Sequence, residues 1–549
     1  MLLQVTSAAV RIFLASTPAL CGPPVSPSVL QLVPTDSFAV AYCEDFAALR
    51  SRAERNDWYR LLASDHGEPL LRDFAREFRS ETDTDMLELL AVCKQLQGES
   101  AMFLTSQVAG FVTTPPADRA ALLEAMRTWL PESGPDALPR ELELAGARVE
   151  MVAWRETSQY GWTARKGHFA ALVDHPQVLG LFSGDDAEAL AAVIGASIAG
   201  ASSDERAPVV QAFERSRSGQ PRCHGIEVFV DLTPFVPDYE RELAADWAGV
   251  LPDPTGLLGL DQDFWLAVAS DVHPGTRVDC TARLHIPRET LAASLADTFE
   301  PLPAALAGQL PNGLAQLHAL RWNLKQFYTR LRGALLERHG AESLETLDAL
   351  VGIDPSDDGS DKLADFLAQL DGTFAVFQLL HDSHDVLDFD DIGLFASLVD
   401  GAAFRSALDR LVGERTVETL IPSSTLEDTE VYLTGAGDDD FGFAILPRAL
   451  LIGFRDVLAR NLRAVNGVPG ANLLDGSEVQ AAFDANLGCC SISIEDLSTL
   501  EAEAVRRMGS AYRLPPEEGQ EVGRNPFDSL LVFTSRRTAE GFRFELHTQ

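Results

Sequence analysis

Lysine is nearly missing from this chain. Four residues, Lys94, Lys166, Lys325 and Lys362, are all that 549 positions contain, and lysine and arginine together number 44 against 82 carboxylates, a formal charge of −38. A surface so acidic repels phosphate backbones and anionic lipid headgroups, which argues against nucleic acid or an anionic membrane as partner. Cysteine is scarce too, at seven residues. There is no Cys-x-x-Cys spacing, so zinc-ribbon and thioredoxin-like readings lack a basis, and the thiols are too scattered for a disulfide framework. Cys43, Cys93 and Cys280 sit in apolar surroundings and read as buried thiols, while Cys223 and the adjacent pair Cys489-Cys490 occupy comparable places before strands. No segment approaches the roughly 18 uninterrupted apolar residues of a membrane-spanning helix, so no transmembrane segment is predicted.

The common catalytic signatures are absent as well. The chain has no Gly-x-Ser-x-Gly elbow, no Walker loop, no His-Glu-x-x-His and no Gly-x-Gly-x-x-Gly after a strand. Each of these carries chemistry through a fixed spacing of nucleophile, phosphate cradle or metal ligands, and without the spacing no catalytic residue is assigned. What remains is an ordinary globular composition, 46% hydrophobic and 23% charged.

Residues 1–28 differ from the rest. Arg11 precedes a modest apolar run, Ile12 to Leu20, that ends at Cys21-Gly22 before a Pro/Ser-rich stretch. A secretory signal has a basic n-region and a continuous apolar core, whereas here the core is short and broken by Ser16, Thr17 and Pro18, so the pattern reads as a leader or weak export signal. Export to the periplasm or cell envelope is therefore slightly favoured over the cytoplasm.

The rest of the chain appears in duplicate. Leu96-Gln97-Gly98-Glu99-Ser100-Ala101-Met102-Phe103 and Leu370-Asp371-Gly372-Thr373-Phe374-Ala375-Val376-Phe377 share Leu-x-Gly-x-x-Ala-x-Phe. Flanking features recur in the same order: Val33-Pro34 and Leu310-Pro311 upstream, then Ala109 to Val112 and Ile392 to Phe395 downstream. Helices with a 3.6-residue apolar period follow at Leu122, Leu123, Met126, Trp129 and Leu130, and at Phe404, Leu408, Leu411 and Val412. Tyr160-Gly161-Trp162 matches Phe441-Gly442-Phe443. Phe169 to Val173 and Ala449 to Gly453 read as return strands, each leading into a short helix at Val178-Leu179 and Val457-Leu458. Val210 to Phe213 answers Val479 to Phe483, Asp231 answers Asp496, and hairpins close the copies at Pro274-Gly275 and near Gly541. The predicted architecture is α+β: two tandem divergent repeats, at 29–300 and 301–549, each made of antiparallel sheets with helices packed on one face.

Two acidic segments raise the question of a divalent cation such as Ca²⁺. Asp354, Ser356, Asp358, Ser360 and Asp365 fall at positions 1, 3, 5, 7 and 12 of an EF-hand-like loop with Gly359 at position 6, flanked by amphipathic helices. Asp361 stands where that loop carries an aliphatic residue, and a polar turn with an Asp N-cap explains the same residues. His381 and His384 lie in a second run, His381 to Asp391, whose imidazoles and carboxylates are ligand types for a divalent ion or simply a solvated loop. Asp438-Asp439-Asp440 reads as a third acidic turn.

The opening Val33-Pro34-Thr35-Asp36-Ser37, followed by an apolar strand and Asp45-Phe46-Ala47-Ala48-Leu49, resembles a group of uncharacterised, often exported bacterial proteins of unknown function. They open with Leu-Pro-x-Asp-Ser/Thr, and Leu-x-Gly-x-x-Ala recurs in them. The resemblance implies export and carries over no catalytic residue. Three functional classes follow from the sequence. The first is a non-enzymatic binding or scaffold protein whose partner is a protein or small ligand; the others are a metal-assisted hydrolase using an acidic loop of the second repeat, and a carrier of apolar ligands.

Overall fold

The computed structural model describes residues 28–65, 94–128, 140–154, 168–200, 206–218, 223–246, 256–341, 361–379, 391–412, 423–434, 440–475, 478–498 and 525–548, with isolated residues between. The leader, Cys93, Trp129-Leu130 and Tyr160-Gly161-Trp162 lie outside them. Helices and antiparallel strands are mixed, as an α+β chain requires. Two compact units form, and each is assembled from separate stretches of chain. The first comprises Met1–Leu232, Trp265–Ala282 and Val505–Pro526; the second comprises Thr233–Phe264, Arg283–Ala504 and Phe527–Gln549.

The first unit holds β1 (Ala39–Cys43), β2 (Ser100–Leu104), β3 (Val108–Thr113), β4 (Arg140–Leu144), β5 (Ala147–Trp154), β6 (His168–His175), β7 (Val178–Gly184), β8 (Ile226–Asp231), β9 (Trp265–Val272) and most of β10 (Val278–His285). They pair in the order β4-β5-β6-β7-β3-β2-β1-β8-β9-β10, antiparallel from β4 through to β9. Its helices are α1 (Phe46–Ala53), α2 (Asp57–Leu62), α3 (Arg119–Thr128), α4 (Ala187–Gly200) and α5 (Pro208–Arg217). Side chains alternate between the faces of a strand, so Val40 and Tyr42 enter one apolar cluster and Cys43 another. The first cluster packs under α4 and α5 through Leu190, Ile194, Val210 and Phe213. The second packs under α1 and α3 through Phe46, Leu49, Leu122 and Met126. Helices therefore cover both faces here, where the sequence pattern predicted one.

That double covering explains why Val178-Leu179 reads as a helix in sequence and is a strand in the structure. Val178 and Phe182 face one cluster while Leu179 and Leu181 face the other, so β7 is apolar at nearly every position. A strand buried on both sides loses the period of two that would identify it.

The second unit holds β11 (Leu314–Arg321), β12 (Leu370–Leu379), β13 (Ile392–Leu398), β14 (Ser423–Leu426), β15 (Thr429–Leu433), β16 (Phe441–Ile445), β17 (Ala449–Phe454), β18 (Ser491–Asp496), β19 (Leu530–Thr538) and β20 (Gly541–Thr548). Their order is β14-β15-β16-β17-β13-β12-β11-β18-β19-β20, again antiparallel throughout. Its helices are α6 (Val236–Asp246), α7 (Leu291–Ala296), α8 (Leu324–His339), α9 (Lys362–Leu367), α10 (Gly401–Val412), α11 (Arg455–Val465) and α12 (Glu478–Ala485). One large core joins Leu317, Phe377, Phe395 and Ile494 of the strands to Leu458 and Leu462 of α11 and Phe483 of α12.

Numbered along the chain, β11 to β20 take their neighbours in the order that β1 to β10 do. The local registers agree as well. Val40 stands opposite Phe103 and Phe229, while Leu317 stands opposite Phe377 and Ile494. Two-residue turns with both φ angles positive join β4 to β5 (Ala145, Gly146) and β14 to β15 (Glu427, Asp428), the geometry that matches strand twist in a tight hairpin. By pairing, β16 corresponds to β6 and β17 to β7. The sequence pattern had set Phe169 to Val173 of β6 against Ala449 to Gly453 of β17, one strand out of step.

Candidate binding face of the second unit

Of the residues with metal-ligand spacing, Asp365 falls within the described structure. Asp354, Ser356, Asp358, Ser360, His381 and His384 lie outside it. Asp365 sits in α9, more than half exposed, with Oδ2 3.5 Å from Arg410 Nη2. Its neighbour Asp361 caps α9, the side chain accepting from Ala364 N at 2.8 Å. Among the described residues no group of three or more His, Cys, Asp or Glu is placed to hold a metal ion.

The strand register nonetheless gathers the described flanks of the acidic segments. Gly393, Gly442 and Ile494 fall in one row across the second unit, linked through Gly453, Phe377 and Leu317. Asp391 and Asp440 come two residues before Gly393 and Gly442, and Asp496 two after Ile494, so antiparallel pairing puts all three at one end of the strands. Asp440 lies 3.9 Å from Arg455, and Asp496 accepts from Ser498 N at 3.0 Å, as a turn cap does. Asp231 holds the matching strand end in the first unit, opposite Trp265 where Asp496 is opposite Leu530.

The thiols are placed for packing. Cys43, Cys489 and Cys490 are buried, Cys223 and Cys280 are half-buried, and all five are free. Cys223 Sγ lies 3.5 Å from Ser270 O and Cys490 Sγ 3.1 Å from Ser535 O, two serines at the same register in the two units. Burial pushes Cys223 up to about 12, and Cys280 and Cys489 up to about 11. Thiols held protonated in this way are poor nucleophiles. A void of about 10 Å³ lies in the first unit, lined by Leu32, Val112, Val173 and Phe182. That is room for about one water and for no larger ligand.

The feature that sequence patterning did not single out is an open apolar row on the second unit. Across the strands, Ile452, Leu394, Val376, His318, Ser493, Phe533 and Leu546 are successive register partners and share one face, the face turned away from the large core. Val376 and Leu394 are each 39% exposed and Phe533 37%. Ser493 Oγ and His318 Nδ1, 2.7 Å apart, form the polar interruption, and Phe533 stacks on Phe544 at 6.0 Å between ring centroids. Toward β15 the face is covered, with Arg405 of α10 lying 5.1 Å over the Tyr432 ring. Exposed apolar side chains gathered on one sheet face make it a candidate contact site. Its sequence signal was the apolar residues on both parities of β12 and β13.

Among the described residues no helix is long and apolar enough to cross a membrane. No protein-family model matches the chain, and neither does any curated protein or solved structure.

Proposed function

We propose that this protein is a non-enzymatic binding or scaffold protein of the cell envelope, built from two divergent copies of one α+β repeat. The shared strand order, the matching registers and the paired two-residue turns support duplication, with copies at 29–300 and 301–549. The leader-like opening and the Val33-Pro34-Thr35-Asp36-Ser37 motif support export. The observation that carries the binding reading is the open row at Leu394, Val376 and Phe533.

Full-length protein recovered from its host with what it holds tests the reading. The expected result is a partner retained by the native chain and lost in Val376→Lys/Leu394→Lys. Retention unchanged by that pair would remove the face from consideration. A thermal-shift series with Ca²⁺, Mg²⁺, Zn²⁺ and chelator separates the hydrolase reading: strong stabilisation by one ion, abolished in Asp354→Ala or His384→Ala, would replace the binding proposal.

A further inference from the structure

The face of the open row continues past Phe533 along β20, where Leu546, Phe544 and Phe542 stand opposite Phe533, Ser535 and Arg537. The rings run on in contact. Phe533 to Phe544 and Phe544 to Phe542 are each 6.0 Å between centroids, Phe542 meets Phe299 edge-on at 5.4 Å, and Phe299 stacks on Trp322 at 5.3 Å. Phe533 is exposed, whereas Phe542 is half-buried in an apolar cluster with Leu258, Leu260 and Phe264. Those three residues lie in the stretch 256–264, which precedes β9 in the chain and packs in the second unit. Its ends are tied to the chain around α6: Gly256 N donates to Glu240 Oε2 at 2.7 Å, and Phe264 N to Thr233 Oγ1 at 3.2 Å. Its middle rests beside α7. Leu258 O accepts from Ala292 N at 3.2 Å, a Cβ on Gly259 would crowd Thr290, and Asp263 pairs with His285 at 3.1 Å.

We infer that 256–264 is a flap hinged at its two ends, and that lifting its middle extends the open row from Phe533 to Phe542. The ends have the stronger hold, since Glu240 is a carboxylate only 4% exposed and a hydrogen bond to a charged acceptor outlasts a neutral one. The middle is held by Leu258 and Leu260 against Ile286 and the small side chains Ala292, Ala293 and Ala296, which offer little apolar area to grip. Hinge positions are present in the backbone. Gly256, Gly259 and Asp263 have positive φ, at 66°, 70° and 49°, and Asp263 keeps that conformation despite its Cβ. Asp261, Gln262 and Asp263 are exposed with the flap down, so lifting takes no buried charge into water. A short segment with few buried apolar side chains opens locally, well below the free energy of global unfolding. With the flap up, Phe533, Phe544 and Phe542 form one aromatic strip beside Val376.

The flap's use rests on the binding reading above, but its test needs no partner. Hydrogen exchange of the full chain, read by mass spectrometry, should show 256–264 and the Ala292 amide exchanging together, faster than β19 by about tenfold or more. Leu258→Ser/Leu260→Ser should speed those peptides further, leave β19 unchanged, and raise the fluorescence of the apolar dye ANS. Phe542→Ser in that background should take the added dye signal away. Exchange of 256–264 as slow as β19 in the native chain would overturn the inference without any variant. So would equal acceleration of β19 in the double variant, which would make the stretch part of the core, or an ANS signal that Phe542→Ser leaves in place. Any of these results leaves the row at Leu394 and Val376 as it stands, because partner retention there is read from Val376→Lys/Leu394→Lys. Loss of the binding reading, in turn, leaves the exchange result intact.

Discussion

The Phe103 ring of β2 lies over the α-carbon of Gly110, its partner on β3, and in the second unit Phe377 of β12 lies over Gly393 of β13 in the same way. A methyl group on either glycine would overlap the ring. The aromatic position of the repeated Leu-x-Gly-x-x-Ala-x-Phe motif is thus tied to a glycine on the next strand, and the two make one packing device used twice.

Gly110→Ala and Gly393→Ala should each be destabilising, by about 1–3 kcal/mol as overpacking costs in a filled core. Scanning calorimetry should show the loss in both variants. Shrinking the ring should recover part of it: Phe377→Leu/Gly393→Ala is expected to be less destabilised than the sum of the singles, with coupling of about 1 kcal/mol between groups in contact. Strict additivity in that cycle would show that the ring and glycine do not constrain each other.

A second device is seen in the first unit. Glu99 accepts from Tyr42 Oη at 2.8 Å, from Ser28 Oγ at 2.5 Å and from Val29 N at 3.0 Å, pinning the buried 3-10 turn Val29–Leu32 to the start of β2. Burial, then the Glu99 carboxylate, holds the Tyr42 hydroxyl protonated well above its usual range, so it remains a donor. Thr373 takes the place of Glu99 in the second copy of the motif. Glu99→Ala should cost about 1.5–3 kcal/mol, the range for hydrogen bonds to a charged group. Limited proteolysis should then cut near Ser28 to Val33 at a protease level that spares the native chain.

Much of this was legible from local chemistry. The hairpins at Gly275 and Gly541 follow from turn residues between alternating strands, and Leu122 and Met126 of α3 and Phe404 of α10 are buried on helices as their period requires. The N-cap role open to the Asp354–Asp365 segment is filled by Asp361. The failures are non-local. Val178-Leu179 lost its strand signature to burial on two faces, and β6 was matched to β17 because short apolar strands look alike until their partners are known. The open row was illegible for the same reason: Leu394, Val376 and Phe533 are distant in sequence, and strand order brings them into line.

The turn at Glu427-Asp428 carries removable strain. Both residues have positive φ, 48° and 57°, in a turn where Gly or Asn is favoured at each position. Glu427 is engaged by Arg463 at 2.7 Å, so Asp428 is the position to change. Asp428→Gly should stabilise by about 1 kcal/mol, the cost of left-handed backbone for a residue with a Cβ. The expected readout is a higher urea midpoint with an unchanged slope. The equivalent turn in the first unit already has Gly146 at its second position, and Gly146→Asp should shift the midpoint the opposite way.

Alkaline pH should weaken the fold through its thiols, and the direction follows from linkage. A thiol ionises near 9 when exposed, but burial raises Cys280 and Cys489 to about 11 and Cys223 to about 12. Between those values the folded state keeps protons that the unfolded state has released, so stability falls as pH rises. The contribution of these thiols is intact below pH 9 and lost progressively from 9 to about 11 for Cys280 and Cys489, and to about 12 for Cys223. Urea midpoints measured from pH 8 upward should decline more steeply in the native chain than in Cys280→Ala/Cys489→Ala. At pH 8 Cys223, Cys280 and Cys489, followed by peptide mapping, should also alkylate slowly with iodoacetamide, which needs the thiolate, and rapidly once unfolded. Equal slopes in the two proteins, or fast alkylation of Cys223, Cys280 and Cys489 in the folded chain, would show that these thiols ionise as freely in the fold as outside it.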